Sequence, residues 1–354
     1  MNWVKRLYTR GQVDKAGEIL SGRQDGDRDW ASEVLGNWRS MHAYPLNTFQ
    51  ATLWKRVQGI ESAALISRRL KRSPSIVEKL KREKGMNLAR MQDIGGLRAV
   101  LANVGNVRQL ESIYLETGRL THKVFKHKDY IGIPKSSGYR GVHVVLKYKS
   151  SLSFAQDYNG LFLELQIRTR LQHLWATAVE TVGTFTNQAL KASQGKAEWL
   201  EFFALVGSAF AHLEDCPVIA EHKDLERLKV FHLVSRAARN LNVRTKLDGF
   251  SVATKSIQSS GSGSSYHLVV LNFKERRLRI TNFKQEELGK ATDQYLETEK
   301  EIYGGAPLQA VLVSAGSLKA LRAAYPSYFL DTKGFVEKLD EIERIVLGGQ
   351  IEKL

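Results

Sequence analysis

The run Leu161 to Thr169, LFLELQIRT, leaves the chain little choice of conformation. Successive side chains of a strand point to opposite faces, so Leu163, Leu165 and Ile167 turn one way and Glu164, Gln166 and Arg168 the other. The first set belongs against a core. The second puts a carboxylate, an amide and a guanidinium on one face in the middle of a sheet, an expensive arrangement unless that face is a site. Neighbouring segments supply the rest of such a sheet and its cover. IGGLRAVLA (94–102) and VHVVLKY (142–148) read as strands, VRQLESIYLET (107–117) as a helix, and LQHLWATAVETVGTFTNQ as a long helix. The fold class expected is α+β, a mixed central sheet flanked by helices, followed by a smaller β-rich α/β domain.

At 354 residues the chain exceeds a single ordinary core. Residues 1–65 read as N-terminal helices, 66–215 as the functional core, 216–245 as a connecting helix and boundary, and 246–354 as the C-terminal domain. Asp27 or Asp29 caps the helix WASEVLGNWRSMH, Pro45 opens the next, and Trp30, Trp38, Phe49, Trp54 and Val57 form their buried face. Pro74 suits the first turn of SPSIVEKLKR, which turns Ile76, Val77 and Leu80 inward. In the second half, GFSVATKSIQ and YHLVVLNF read as strands joined by SSGSGSS as a hairpin tip.

The apolar run FFALVGSAFA is about half the roughly 20 residues that a membrane crossing needs, so a buried helix is expected rather than an anchor. No apolar signal segment opens the chain, and the expected compartment is the cytoplasm. The one cysteine, Cys216, precludes an internal disulfide and reads as a small buried hydrophobe. A net charge of +16, with 53 Lys and Arg against 37 Asp and Glu, favours phosphate-bearing partners.

Three clusters recur at separations natural for one pocket: Arg69, Lys71, Ser75 and Lys79; Asp93 and Arg98; and the loop KDYIGIPKSSGYRGVH (128–143) together with Glu164, Gln166 and Arg168. These residue types suit phosphoryl or pyrophosphoryl transfer, which needs Mg²⁺ on one or two carboxylates and cations over the developing charge. Acids in surface ion pairs among many bases would account for the composition equally well. In order, Arg69-x-Lys71-x-x-x-Ser75-Ile76-x-x-Lys79, Asp93-x-x-Gly96-x-Arg98, Asp129-Tyr130-Ile131-x-x-Pro134-Lys135-x-x-Gly138-Tyr139-Arg140-x-x-His143 and Glu164-x-Gln166-Ile167-Arg168-Thr169-x-x-x-His173 resemble the synthetase domain of the RelA/SpoT superfamily. That resemblance implies roles. Arg69 and Arg98 sandwich the ATP adenine, Lys71, Ser75, Lys79 and Arg168 hold its phosphates, and Asp93 and Glu164 bind Mg²⁺, with Glu164 also the base. Tyr139 stacks on the acceptor's base, Lys135, Arg140 and His143 steer its phosphates, and Gln166 and His173 support them.

Superfamily members modify guanosine nucleotides, adenosine nucleotides or the 3′ CCA end of tRNA, and the motifs leave the acceptor open. The exposed bases Lys81, Arg82, Lys84, Arg90, Lys123, Lys126 and Lys128 read as a basic patch for tRNA, or as a solvated face. The C-terminal part resembles the antitoxin half of fused toxin-antitoxin proteins of the CapRel type. On that resemblance Tyr325 and Tyr328 cover the ATP site until a phage protein, such as a capsid component, binds the tail.

Overall fold

The computed structural model describes residues 3–116, 122–185, 196–252, 257–259, 266–272, 275, 277–303, 306, 308–314 and 332–351. Its strands are β1 (Leu65–Leu70), β2 (Gly95–Leu101), β3 (Lys123–Asp129), β4 (Val142–Lys147), β5 (Phe162–Thr169), β6 (Ile257–Ser259), β7 (Tyr266–Asn272), β8 (Arg277–Phe283) and β9 (Leu308–Ser314). They form one nine-stranded sheet in the order β3-β4-β5-β2-β1-β9-β7-β8-β6. The β2–β5 and β6–β8 pairs are parallel and the others antiparallel, so the sheet is mixed, as expected.

Register carries the alternation of β5 across its neighbours. Leu163 lies opposite Gly95 and Leu146, Leu165 opposite Leu97 and Val144, and Ile167 opposite Ala99 and Val142. This back face packs under helices α1 (Arg10–Ser21), α2 (Arg28–Met41), α3 (Ala43–Gln58) and α5 (Val104–Leu115) in one core with Trp38, Phe49, Leu53 and Tyr114. Asp27 caps α2 by accepting from the Asp29 and Trp30 amides. Trp54 departs from expectation, since it is 54 % exposed while its helix buries Phe49, Leu53 and Val57. A helix in contact on one stripe leaves the other open, and Trp54 falls outside the stripe.

A second core gathers α6 (Arg170–Phe185), α7 (Ala197–Leu213), α8 (Arg227–Asn240), α9 (Val243–Val252) and the C-terminal helix α11 (Lys333–Ile351), around Trp175, Phe202, Phe203, Phe210, Phe231 and Phe335. The run FFALVGSAFA is therefore an interior helix. Among the described residues no helix is long and apolar enough to cross a membrane. Cys216 is half-buried and burial pushes its thiol pKa up.

The second half differs most from expectation. Its strands continue the first sheet, because β9 pairs with β1 through Arg68–Ser314 and Arg69–Val313. Helix α10 (Leu288–Tyr303) covers β7 and β9 and also touches α4 (Ser73–Arg82). GFSVATKSIQ is not a strand partner of YHLVVLNF. Its first residues finish α9, and Ile257–Ser259 runs parallel to β8, which separates it from β7, so the two segments do not form a hairpin. Most of SSGSGSS, and the segment holding Tyr325 and Tyr328, lie outside the described residues.

The contact between the halves is polar and buried. Glu299 of α10 accepts from the Ser73 amide (3.0 Å) and the Ser73 hydroxyl (2.7 Å), so a carboxylate satisfies an otherwise free amide at the positive end of α4. Tyr295 donates to the same carboxylate and lies under the Arg39 guanidinium, 4.5 Å from its ring centre. Arg68 donates to the Tyr266 hydroxyl at 3.2 Å. Removing Glu299 would leave the buried Ser73 groups without their acceptor. Glu299→Ala is expected to lower unfolding free energy by about 2 kcal/mol, measured by urea denaturation of the full chain. An unchanged midpoint and slope would show that this contact contributes nothing to the joint.

Candidate active site

The other face of the sheet is the site. By register, Glu164 lies between Gly96 and Val145, and Gln166 between Arg98 and His143. Arg69 lies opposite Gly96 and Ser67 opposite Arg98 on the side of β1, while Lys126 lies opposite Val145 and Lys128 opposite His143 on the side of β3. Read across the strands, this front face runs from two arginines, over a central carboxylate, to a histidine and a row of lysines. A cavity of about 150 Å³ opens between β1, β2 and β5, lined by Ser67, Arg68, Arg69, Lys71, Asp93, Gly96, Leu97, Arg98, Glu164 and Gln166. Arg69 and Arg98 stand on a diagonal over the small residues Ser67 and Gly96. Both arginines line the cavity, and guanidinium planes are groups that stack on a flat aromatic ring.

Asp93 and its lysines close one end. Lys71 leaves β1 with its amide on the Ile94 carbonyl, and Arg39 donates to the Lys71 carbonyl at 2.7 Å, so the turn is held on both sides. Lys71 and Lys79 reach the two oxygens of Asp93 at 3.0 and 2.9 Å. Ser75 and Lys79 are four apart on α4 and share a face. Burial raises the Asp93 carboxyl pKa, but the two ammonium groups outweigh it and hold it at about 2.

Glu164 accepts from His143 Nδ1 (2.9 Å) and Gln166 Nε2 (2.7 Å). Burial pushes its pKa up and the Asp93 charge does the same, yet the His143 hydrogen bond and charge bring it below the usual range. His143 Nε2 faces the Tyr139 hydroxyl at 2.5 Å, and Arg168 donates to that oxygen at 2.9 Å. Burial works against the charged imidazole, but Tyr139 and Glu164 raise His143 to about 9. Burial likewise raises Tyr139, while Arg168 and His143 bring it to about 8. At neutral pH the imidazolium donates from both nitrogens, tying Tyr139 to Glu164.

The loop that carries Tyr139 is held by backbone contact. Asp129 accepts from the Ile131 and Gly132 amides at 2.9 and 3.0 Å and pairs with Arg108 at 2.9 Å. Gly138 adopts φ +87° and sits so close to α7 that a Cβ there would meet the Phe203 carbonyl oxygen at 2.6 Å. A Cβ on Gly207 would likewise collide with the Gly138 carbonyl oxygen.

Not every expected site residue faces the cavity. Arg140 is 3 % exposed and ion-paired to Glu214 at 2.8 Å, and Glu214 also accepts from Thr169 and Gln172. It pins the loop to the helical core instead of steering acceptor phosphates, because the close approach at Gly138 directs it inward. Arg168, expected on ATP phosphates, instead bonds Tyr139 and Gln166 (2.7 Å). Tyr139 does not offer a bare stacking face: Lys135 and Arg168 lie 5.2 and 5.1 Å from its ring centre, and Tyr130 and Trp175 meet it edge-on. His173 is buried in α6. Lys81 and Arg82 are engaged by Glu78 and Glu83, whereas Lys84, Arg90, Lys123, Lys126 and Lys128 are exposed. Ser67, Glu214 and Glu299 have no signal in their local sequence, since each acts through a partner brought in by the fold.

Asp93 and Glu164 line one cavity and the Asp93 charge acts on the Glu164 carboxyl, and two carboxylates beside lysines suit Mg²⁺, which keeps waters and substrate oxygens as its other ligands. Among the described residues no group of three or more His, Cys, Asp or Glu is arranged to hold a metal ion by itself. Asp93→Asn and Glu164→Gln are each expected to lower turnover by at least about a thousandfold with the thermal midpoint within a few degrees of wild type. Because the folded pKa of His143 is raised, its contribution is complete below about pH 6.5 and lost as pH rises through about 9. Urea stability should fall between pH 7 and 8 in the wild type more steeply than in His143→Gln, above which the ionisation of Tyr139 at about 8 offsets the loss, and parallel curves over that window would refute the Tyr139–His143–Glu164 coupling.

Residues 68–187 match the family described as the region found in RelA / SpoT proteins. The chain is 30 % identical over 161 residues to the GTP pyrophosphokinase YwaC of Bacillus subtilis (strain 168), covering 42 % of this chain and 72 % of that protein. It is 30 % identical over 128 residues to the GTP pyrophosphokinase YjbM of the same organism, covering 36 % of this chain and 59 % of that protein. Small alarmone synthetase 1 of B. subtilis bound to its product pppGpp aligns with a TM-score of 0.40 at 24 % identity, over 48 % of this chain and 90 % of that one. Small alarmone synthetase 2 aligns with a TM-score of 0.42 at 21 % identity, over 53 % and 95 %. The family match spans the strands, loop and carboxylates of the front face, and the chain belongs to the RelA/SpoT family of pyrophosphokinases.

Proposed function

We propose that this protein transfers pyrophosphate from ATP to the 3′-hydroxyl of the terminal adenosine of tRNA. The observation that carries this reading is the order of groups across the front face. An adenine slot and phosphate-binding lysines lie on one side of Glu164, and an open row of lysines on the edge strand lies on the other. A free nucleotide needs only a few cations within a cleft, whereas a tRNA end arrives with a polyanionic chain that must run over the surface.

Arg69 and Arg98 stack on the adenine, and Lys71, Ser75 and Lys79 bind the phosphates. Mg²⁺, held by Asp93 and Glu164, would screen charge on the transferring phosphates. The acceptor hydroxyl attacks the β-phosphorus, the bond from that phosphorus to the bridging oxygen breaks, and AMP leaves with the electron pair. Glu164 takes the hydroxyl proton. Its lowered pKa makes it a weak base, which suits a transfer that depends more on placed charge than on base strength.

In this reading the enzyme is the toxin of a fused toxin-antitoxin pair in antiphage defence, held off by its C-terminal part until a phage protein such as a capsid component binds there. Support comes from the joint between the halves, where Tyr295 and Glu299 grip Arg39 and Ser73 on either side of the turn that carries Lys71. A trigger acts there only through tighter binding to the open arrangement. Tyr325 and Tyr328 remain the proposed cover of the ATP site. A guanosine nucleotide as acceptor is the second reading, favoured by the two GTP pyrophosphokinases that the chain resembles.

The deciding assay incubates the full chain with ATP labelled in its β- and γ-phosphates and, in parallel, tRNA, GDP, GTP or AMP. Label in tRNA, lost in Asp93→Asn, is expected. Label in a guanosine nucleotide alone would replace the first reading by the second. Tyr325→Ala with Tyr328→Ala should raise basal transfer about tenfold or more, and unchanged basal activity would sink the tyrosine cover.

A further inference from the structure

The front face does not end at Glu164. Two residues earlier on β5 and on the same face stands Phe162, opposite Lys147 of β4, which in turn lies opposite Lys123 of β3. The β3–β4 register slips between Val124 and Lys126, leaving Phe125 as the extra residue of a bulge. Its ring meets that of Phe162 at 4.7 Å between centres and 49°, and remains 50 % exposed. Lys147 Nζ lies 5.9 Å from the Phe162 ring centre, and Lys123, Lys126, Lys128 and Lys147 are exposed. By register β3 and β4 contribute no carboxylate to this face, since Asp129 lies opposite Val142 on the core side.

We propose that Phe125 and Phe162, ringed by Lys123, Lys126 and Lys147, form a stacking platform for the unpaired nucleotides that precede the 3′-terminal residue of an RNA acceptor. This rests on the tRNA reading above and gives the acceptor strand its path. At about 3.3 Å per residue, Phe162 lies about 7 Å along the strand from Glu164, a step of roughly one nucleotide of extended chain. Aromatic faces that take bases, interleaved with cations that take phosphates, are how single strands are held without regard to sequence. Lysines and a bulge also keep an edge strand from pairing with another chain. That role explains the lysines but not an exposed phenylalanine at the bulge, which works against it.

The test is fluorescence anisotropy of a labelled single-stranded ACCA tetranucleotide on the full chain at low and moderate salt. Phe125→Ala is expected to weaken binding about tenfold, the loss of one stacked base, while Phe125→Trp retains it and the KM for ATP stays unchanged in both. Equal binding by wild type and Phe125→Ala, or no binding by the wild type, would overturn the platform. The transfer assay separates this from the function it rests on. Label in a guanosine nucleotide alone, with tetranucleotide binding still dependent on Phe125, removes the tRNA reading and leaves the platform. Label in tRNA with an unchanged KM for tRNA in Phe125→Ala removes the platform and leaves the reading.

Discussion

The site depends on the position of β5 between a parallel and an antiparallel neighbour. Once Leu163, Leu165 and Ile167 are committed to the core, register alone puts Glu164 and Gln166 beside Gly96 and Arg98 on one flank and beside Val145 and His143 on the other. A slip of one residue would exchange the faces and bury a carboxylate. The apolar back face thus supplies the energy that holds a polar front face in place, and the order of groups from Arg69 to Lys128 follows from strand order.

Two ionic arrangements tune this face in opposite ways. At one end Asp93 is held ionised by Lys71 and Lys79, two cations on one carboxylate, so a phosphate would enter a site that already carries a positive surplus. At the other, a chain of hydrogen bonds from Arg168 through Tyr139 and His143 to Glu164 keeps the central carboxylate oriented, with Gln166 on its second oxygen. The loop supplying Tyr139 is positioned from outside the sheet. Gly138 touches the backbone of α7, and Arg140 reaches through to Glu214, so the helical core and the sheet fix the site jointly. The C-terminal strands and α10 add a third support at the turn before Lys71.

Much of this was legible in the chain itself. The period of two in LFLELQIRT, the helix signals at Asp27 and Pro74 and the order of the motifs gave the central strands, their flanking helices and the grouping of Asp93 with Glu164. Strands β1 and β3 were not evident, because LISRRL and KVFKHKD carry too many cations for a simple alternation and take their pairing from neighbours. The strand expected in GFSVATKSIQ gave way to the end of a helix and a short parallel pairing, a long-range contact without a local mark. Arg140 shows the same limit: its neighbours in sequence are loop residues, while its partner Glu214 is distant in the chain.

By itself the sequence determined which residue types are available and which alternate: a strand with an acid, an amide and a guanidinium on one side, two lysines and a serine at helical spacing, and a glycine-marked loop. The tertiary structure decided how those residues are used. It turned Arg140 inward, placed Tyr139 between two cations, joined the second half to the first sheet through β1, and brought Phe125 onto Phe162. The reason is physical. Alternation and helical spacing are local properties that the backbone imposes, whereas pairing partners, burial and register depend on which distant segments satisfy each other's hydrogen bonds and charges.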